Sequence, residues 1–198
     1  MSSRLSFILL LFLVPGHSRA QSFPCDGRPI IAITPSREHS RLFYLDWPET
    51  TQPVAFRGIG EQATPVVLNA LGFRVSDGYL YGVHPVEHQL YRVGADGVAQ
   101  PLGKLSLTPD HGYFAGDVTP DGRHLVLLGS RGVPPATLTL ASVDLTLPGH
   151  PVRELPVTVE GLRGEVYCAD IAFSPVDGRL WGYDGRHRQL VQDRKSVV

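Results

Sequence analysis

Three oxygen-bearing side chains of the 198-residue chain could together bind a metal ion: Asn69, Asp117 and Asp170. Each lies in or beside a short apolar segment, and carboxylate and amide oxygens are the ligands that a hard cation such as Ca²⁺ prefers. If the three segments were strands around a common axis, they could hold Ca²⁺ for lactone or ester hydrolysis. The alternative is that these side chains bond to backbone groups between sheets or at strand ends, as Asp and Asn commonly do. The sequence favours the second interpretation.

Other motifs for catalysis are incomplete. His84 and His88 are four residues apart, but Pro85 prevents the helical turn that would present both to one metal ion. Ser130 lacks the spacing of a Gly-x-Ser-x-Gly nucleophile, and the segment 57–61 lacks the third glycine of a dinucleotide-binding loop. We therefore predict no catalytic residue, no cofactor-binding residue and no metal site, with the Ca²⁺ site above as the alternative.

Two cysteines and one tryptophan are further candidates. Cys25 and Cys168 form a possible disulfide if the protein is exported. Spacing alone does not place their Cα atoms within reach of each other, so two buried thiols, or cysteines whose partners belong to a longer chain, stay open. Trp47 precedes Pro48 in a predicted connecting loop and is a possible contact for a sugar or a protein.

The N-terminus has the pattern of a secretory signal peptide. Arg4 precedes the apolar run 7–14, and Ser18-Arg-Ala20 provides a small-x-small cleavage site. The run falls far short of the ~20 residues that span a bilayer. We expect residues 1–20 to be removed after Ala20, and the protein to be secreted or extracytoplasmic with no transmembrane segment in the mature chain.

Charge gives little information about a partner. The formal net charge is −1, with both signs scattered along the chain, which argues against nucleic acid as a partner. We expect an extracellular protein or polysaccharide, which the sequence does not identify, and the oligomeric state is equally open.

Internal repetition organises the elements that would position these side chains. Shifted by 100 residues, the segment 77–90 aligns without a gap with 177–190, and the match includes the Asp-Gly pair, two further small or apolar positions and a Gln-Leu pair. A looser copy surrounds Asp121-Gly122, and a shift of 48 aligns Leu42 with Leu90. The repeating unit is therefore about 45–50 residues long.

Each unit is typical of four antiparallel strands. In the second unit the apolar segment 66–73 is followed by Asp77-Gly78, which suits the positive φ angles of a hairpin turn. Short alternating segments then follow at 79–83, 89–93 and 98–102, with no helical period between them. The repeated Asp-Gly pairs are thus expected to form turns rather than an acidic site.

Repeated four-stranded units predict an all-β fold, a β-propeller, because one blade cannot bury both its faces and needs neighbours to cover them. A β-sandwich and a β-solenoid are the alternatives. The predicted blade-like units cover about 27–63, 64–108, 110–158 and 164–192 within a partial propeller over 21–192. About 3.5 blades are present, so the propeller is expected to be incomplete.

The motifs resemble a known family. The segments LNALGFRVSDGYLYGV, QLYRVGADGVAQPLG and GDVTPDGRHLVL, together with DIAFSPVDGRLWGYD and the FPCDG that follows the signal peptide, are similar to a bacterial secreted β-propeller domain family of unknown function. The resemblance covers roughly residues 23–192. It implies a domain of surface or exported proteins, and it implies no catalytic residue.

The last residues depart from the repeat. After Leu190 the pattern requires a strand, a turn and a return strand, but the chain continues as DRKSVV over 193–198. One set of codons for this hexapeptide matches a common sequencing adapter, so we expect 193–198 to be a non-native tail produced by truncation.

The sequence as a whole favours a non-catalytic secreted or cell-surface propeller module that serves binding or scaffolding. The alternative is a Ca²⁺-dependent hydrolase of the lactonase or esterase type that uses Asn69, Asp117 and Asp170.

Overall fold

The structure is a computed structural model that describes residues 21–34, 39–47, 53–60, 66–131, 138–161 and 166–194. The predicted signal peptide 1–20 and the end of the predicted tail, 195–198, lie outside the described residues. Within the described ranges all regular structure is β-strand, and they contain no helix long and apolar enough to cross a membrane.

In the described part of the chain, fourteen strands form four separate antiparallel sheets, in which each strand pairs with its neighbours in sequence. Blade 1 contains β1 (Ile30–Ile33), β2 (Arg41–Asp46) and β3 (Ala55–Gly58). Blade 2 contains β4 (Asn69–Arg74), β5 (Tyr79–Val83), β6 (Gln89–Val93) and β7 (Ala99–Lys104). Blade 3 contains β8 (Gly112–Val118), β9 (His124–Ser130), β10 (Leu138–Asp144) and β11 (Val152–Val157). Blade 4 contains β12 (Cys168–Phe173), β13 (Leu180–Asp184) and β14 (Gln189–Gln192).

This architecture is the predicted all-β propeller, and it is incomplete. Blades 2 and 3 have the predicted four strands, whereas blades 1 and 4 show three each among the described residues. Each sheet falls within one of the four predicted units, and the first strands β4, β8 and β12 of successive blades lie against one another. No sheet pairing closes the ring in the described chain.

The repeated Asp-Gly pairs form the turn between the first two strands of blades 2, 3 and 4. Gly78, Gly122 and Gly178 have φ angles of 71°, 72° and 68°, in the left-handed region that glycine adopts without steric cost. The preceding aspartate accepts a hydrogen bond from the backbone N–H two residues ahead, for example 3.0 Å from Arg123 N to Asp121 Oδ1. The prediction that these pairs serve hairpin geometry is confirmed.

Apolar side chains are buried between blades rather than inside one blade. The described residues form three such clusters, one at each junction, and each combines residues of two consecutive blades. Leu42 of blade 1 packs with Leu80 and Val93 of blade 2, and Val83 of blade 2 packs with Leu125 of blade 3. Burial of one such side chain contributes roughly 1.5–3 kcal/mol, so every blade depends on the adjacent one for its stability.

The inner strands approach each other closely because small residues separate them. A Cβ atom added to Gly72 would lie 2.5 Å from the backbone nitrogen of Val118, and one added to Gly116 would lie 2.5 Å from the carbonyl oxygen of Ala70. Both distances are too short for a real carbon atom. Blades 2 and 3 therefore meet backbone to backbone at the axis, which only glycine at these positions permits.

Polar side chains add a bond at two of the junctions. The Oγ atom of Ser40, which is fully buried, accepts a hydrogen bond of 2.9 Å from Leu68 N and so joins blade 1 to blade 2. The Nε atom of Arg74 donates a 2.7 Å bond to the carbonyl oxygen of Gly122 and so joins blade 2 to blade 3. These bonds fix the relative position of sheets that apolar packing alone would leave free to slide.

The first described residues attach to blade 2. Ala95 N donates to the carbonyl oxygen of Gln21 and Phe23 N donates to that of Gly78, both at 2.6 Å. The Phe23 ring lies edge-on to Tyr44 of blade 1 and to Phe73 of blade 2. The segment thus holds the first two blades together.

Glu154 of β11 holds the segment that connects blade 2 to blade 3 by hydrogen bonds. Its carboxylate accepts bonds from Thr108 N at 3.1 Å and Thr108 Oγ1 at 2.7 Å, and a further bond from the Tyr113 hydroxyl. Burial alone raises the pKa of Glu154, but the bonds from Tyr113 and Thr108 outweigh burial, so the pKa lies below its ordinary value.

Gly116→Ala should lower the free energy of unfolding by about 1–3 kcal/mol, because the added methyl group forces the inner strands apart. Denaturant unfolding followed by circular dichroism measures the change. Gly112→Ala is the matched control, since it lies in the same strand and a Cβ there would meet no atom within 4 Å. Equal losses in the two variants would contradict the close-packed axis.

Glu154→Gln should lower the free energy of unfolding at neutral pH by about 1–2 kcal/mol, because the amide replaces one acceptor oxygen with a donor. The stability that the carboxylate provides is present above the unfolded pKa, about 4.3, and is lost as the pH falls through the lower folded pKa. The difference between the two proteins should therefore shrink at about pH 3. Glu160→Gln, at an exposed ion pair with Arg194, should change stability little at either pH.

Candidate functional site

A cavity of about 610 Å³ lies where the first strands of all four blades converge. Its walls include Ile30 of blade 1, Phe73 of blade 2, Gly116 of blade 3 and Ala172 of blade 4. Asp117 and Asp170 also line it. This axial cleft is the place where the predicted metal ligands would have to meet.

Asp117 joins two blades through its carboxylate. Oδ1 accepts a bond of 2.8 Å from Val118 N, and Oδ2 accepts one of 2.8 Å from Phe173 N in blade 4. Burial raises the pKa of Asp117 and the nearby Asp170 carboxylate adds to this, while the two N–H bonds act in the opposite direction. Both oxygens of Asp117 are thus engaged by peptide groups, and the residue completes the series of polar bonds between blades.

Asp170 also lines the axial cleft. Its Oδ1 accepts a 2.9 Å bond from Ile171 N. The side chain is exposed to the cleft, yet enough protein surrounds it that burial raises its pKa. Asp117 and Asp170 are therefore the two predicted ligands that the structure brings into one cavity.

Asn69 occupies a different place. Its Oδ1 accepts a 2.9 Å bond from Ala70 N, and Ala70 has a φ angle of 49°, which is uncommon for a residue with a side chain. Asn69 is not among the residues that line the axial cleft. Its amide supports a local irregularity at the start of β4, where the pairing register with β5 shifts.

The geometry agrees with the interpretation that these three side chains bond to the backbone. Each accepts a bond from the N–H of the next residue, and Asp117 accepts a second one from another blade. Within the described ranges, no group of three or more His, Cys, Asp or Glu side chains is placed to hold a metal ion. The axial cleft offers a ligand two carboxylates and the Arg28 side chain on largely apolar walls.

The two cysteines are separate free thiols in the structure. Cys25 is exposed at the axial cleft, whereas Cys168 is buried at the start of β12. The Sγ atom of Cys168 donates to the carbonyl oxygen of Asp170 at 3.3 Å, and burial raises the pKa of this thiol. A raised pKa leaves less of the reactive thiolate, so Cys168 is a packing residue here.

Trp47 follows the second strand of blade 1, and 74% of its surface is exposed. It lies directly after Asp46, which closes β2. A large aromatic side chain held on the end of a strand and open to solvent is available to a sugar ring or a protein surface. The role of Trp47 as a ligand contact stays a prediction.

Sequence reasoning missed a histidine–aspartate pair in blade 4. Nδ1 of His187 lies 2.5 Å from Oδ2 of Asp184, which is fully buried. The other oxygen of Asp184 accepts bonds from Tyr167 N and Arg186 N, so the carboxylate braces the turn between β13 and β14. The polar sequence Asp184-Gly-Arg-His187 could have indicated this turn, because an aspartate at the end of a strand commonly accepts hydrogen bonds from the following turn.

A second cavity of about 460 Å³ lies beside the outer strands of blade 4. Leu140 and Val157 of blade 3 and Leu180 and Val191 of blade 4 form its apolar walls. In blades 2 and 3 a fourth strand, β7 or β11, extends the sheet in this direction. The cavity therefore marks the place where the described part of blade 4 is narrower than its neighbours.

Comparison with solved structures shows the fold. The chain is similar to a luciferin-regenerating enzyme, with a TM-score of 0.51 and 12% identity over 91% of this chain and 56% of that one. Matches to an oligogalacturonate lyase in complex with manganese and to a catalytically inactive virginiamycin B lyase from Staphylococcus aureus with quinupristin have TM-scores of 0.42 and 0.40. Their identities are 15% and 9%, over 80% and 86% of this chain.

These neighbours are longer than the chain. It covers 42% of the oligogalacturonate lyase and 60% of the virginiamycin B lyase, so it spans about half the length of the structures it matches. At 12% identity the first likeness shows a shared propeller fold and nothing about activity, and the other two are too distant to support an argument.

No curated protein matches the chain. A family model described as a repeat of unknown function (DUF6923) matches residues 32–193. The match begins in β1 and ends directly after β14, so it includes all four blades. The chain belongs to this family of repeats of unknown function.

Proposed function

We propose that the chain is a non-catalytic β-propeller module of an exported bacterial protein and that it serves to bind or to scaffold an extracellular partner. The partner is a protein or a polysaccharide outside the cytoplasm. The observation that supports this proposal most directly is that the axial side chains of Asp117 and Asp170 accept hydrogen bonds from backbone N–H groups.

Asp117 is the axial side chain whose hydrogen bonds support this proposal most. In a Ca²⁺ site a carboxylate contributes its oxygens to the ion at about 2.3–2.6 Å. Here Oδ1 and Oδ2 each accept a peptide N–H at 2.8 Å, so both oxygens take part in the bonding of the fold. The bond to Phe173 N adds to the apolar cluster between blades 3 and 4, so the Asp117 carboxylate contributes to the packing of these blades.

Export is part of the proposal and is supported by the sequence of residues 1–20. Gln21, the first residue after the predicted cleavage site, already bonds to Ala95 of blade 2.

Trp47 is the proposed contact for the partner. Its exposure of 74% is large for an aromatic side chain, and burial of a tryptophan at an interface commonly supplies a major share of the binding energy. Because Trp47 follows the last residue of β2, the strand holds its backbone in place.

A Ca²⁺-dependent hydrolase is the second candidate, because Asp117 and Asp170 share one cavity and both have raised pKa values. This arrangement provides two carboxylates, whereas an oxygen-ligated Ca²⁺ ion takes about six to eight ligands.

Addition of Ca²⁺ should leave the melting temperature of the purified chain unchanged. A site present only in the folded state would raise the free energy of unfolding by about 2.7 kcal/mol at 100 times its dissociation constant, which calorimetry would detect. Asp117→Asn should be equally insensitive to Ca²⁺. Stabilisation by Ca²⁺ that Asp117→Asn abolishes, together with Ca²⁺-dependent hydrolysis of a chromogenic lactone or ester, would establish the hydrolase instead.

Trp47→Ala should weaken binding to the partner about tenfold or more, which corresponds to roughly 1.4 kcal/mol. A glycan array and affinity capture from an extracellular fraction identify the partner, and titration calorimetry measures the affinity. Val176→Ala, at an exposed position in blade 4, is the control and should bind like the unaltered chain. Equal affinity for Trp47→Ala would remove Trp47 from the binding surface.

A further inference from the structure

One buried carboxylate in blade 4 positions two side chains that reach solvent. Asp184 ends β13 and is fully buried. Its Oδ1 atom accepts hydrogen bonds from Tyr167 N at 3.1 Å and Arg186 N at 3.0 Å, and its Oδ2 atom lies 2.5 Å from Nδ1 of His187. The carboxylate therefore ties the segment that leads into β12 to the turn between β13 and β14.

The ionisation of Asp184 sets the tautomer of His187. Burial raises the pKa of Asp184, but the hydrogen bonds that the carboxylate accepts outweigh burial, so the pKa lies below its ordinary value. An ionised carboxylate is only an acceptor, so Nδ1 of His187 carries the proton and donates it. In the neutral ring Nε2 is then an acceptor. The His187 side chain keeps 26% of its surface in solvent, so it can offer Nε2 to a hydroxyl group.

Tyr167 lies beside the same turn with 57% of its surface exposed. Its carbonyl oxygen accepts a 2.9 Å bond from Gly185 N, and a Cβ atom added to Gly185 would lie 3.8 Å from Cδ1 of the Tyr167 ring. The ring therefore lies next to the glycine of the turn. An exposed phenol ring has apolar faces and a polar hydroxyl at one end, a combination that suits a sugar ring with its C–H and O–H groups.

Blade 2 contains the same turn. Shifted by 100 residues, Asp184 corresponds to His84, whose Nδ1 atom accepts a 3.0 Å bond from Glu87 N within its own turn. The last residues of the two turns, His88 and Arg188, have φ angles of 57° and 55°. The backbone scaffold, with an acceptor side chain at the end of the second strand, is thus common to both blades.

The side chains on this scaffold differ between the two blades. Tyr167 and His187 of blade 4 correspond to Val67 and Glu87 of blade 2. Blade 2 therefore carries neither an aromatic ring nor an imidazole at these two positions, although the backbone geometry is kept. Different surface side chains on a shared rigid scaffold are typical of binding residues.

The turn of blade 2 stays open although a blade lies on either side of it. Val86 in this turn is 78% exposed, and Glu87 is exposed as well. A neighbouring blade therefore leaves the middle of such a turn accessible. Arg188 is not included in the proposed site, because its counterpart His88 is buried and bonds through Nε2 to the carbonyl oxygen of His111 before blade 3.

We propose that Tyr167 and His187 form a carbohydrate-binding site. A sugar ring of an extracellular polysaccharide stacks on Tyr167, and one of its hydroxyl groups donates a hydrogen bond to Nε2 of His187. Asp184 is the positioning residue, since it holds the backbone of both segments and the tautomer of the imidazole. This inference rests on the proposed binding function and selects a polysaccharide as the partner, at a site that does not include Trp47.

An array of cellohexaose, xylan, mannan, alginate and peptidoglycan fragments, probed with the purified full chain, tests the inference. We expect binding to at least one of these glycans. Tyr167→Ala and His187→Ala should each weaken that binding about tenfold or more in titration calorimetry, and each should keep the circular dichroism spectrum of the unaltered chain. Val86→Ala and Glu87→Ala, on the corresponding turn of blade 2, are the matched controls and should bind like the unaltered chain.

Asp184→Asn tests the positioning role separately. The asparagine Oδ1 atom can still accept the two backbone bonds, but its amide nitrogen cannot accept the proton of His187 Nδ1. The proton should therefore move to Nε2, which NMR of the ring nitrogens detects, and the affinity for the glycan should fall about tenfold. A changed tautomer without any loss of affinity would show that Nε2 is not the acceptor and would overturn the proposal.

Failure of this inference and failure of the proposed function give different results. If a glycan binds but Tyr167→Ala and His187→Ala bind it like the unaltered chain, the glycan lies elsewhere and the inference is wrong. The inference is also wrong if no glycan binds and affinity capture from an extracellular fraction yields a protein partner that binds the purified chain. If both experiments find no partner, the proposed function fails as well.

Discussion

Burial of one sheet against the next is the constraint on which the rest of this structure depends. A three- or four-stranded sheet has two faces and too few residues for a core of its own, so its apolar side chains must be covered by another sheet. The three clusters at the junctions meet this need, and each combines residues from two blades. Each blade is therefore stabilised by the adjacent one. Hydrogen bonds of Ser40, Arg74 and Asp117 fix the position of one sheet relative to the next.

The same constraint explains the axial cleft. Inner strands that approach within backbone contact leave room only for small side chains, and the few polar groups present must be satisfied by nearby peptide N–H groups. Asp117 shows the result, because its carboxylate serves as a bridge between two blades. Asp117 thereby contributes to the cohesion of the four blades.

Much of the fold could be predicted from the sequence, because the signals are local and repeated. The 100-residue register and the Asp-Gly pairs predicted the strands and turns of blades 2 and 4, and the Asp-Gly turns have the expected positive φ angles. The bond between Asp117 and Phe173 N was not predictable, since it depends on which peptide group of a distant blade lies nearby. The buried pair of Asp184 and His187 was missed for a similar reason, because only the folded turn removes this aspartate from water.

The attachment of the first residues to blade 2 has a consequence for the order of events during synthesis. Gln21 and Phe23 bond to Ala95 and Gly78, which follow them by more than fifty positions in the chain. These residues cannot take their final places until residue 95 has left the ribosome or crossed a membrane. Gln21 and Phe23 are thus among the last residues of the first two blades to reach their final positions. Blade 1 completes its packing only after blade 2 has been synthesised.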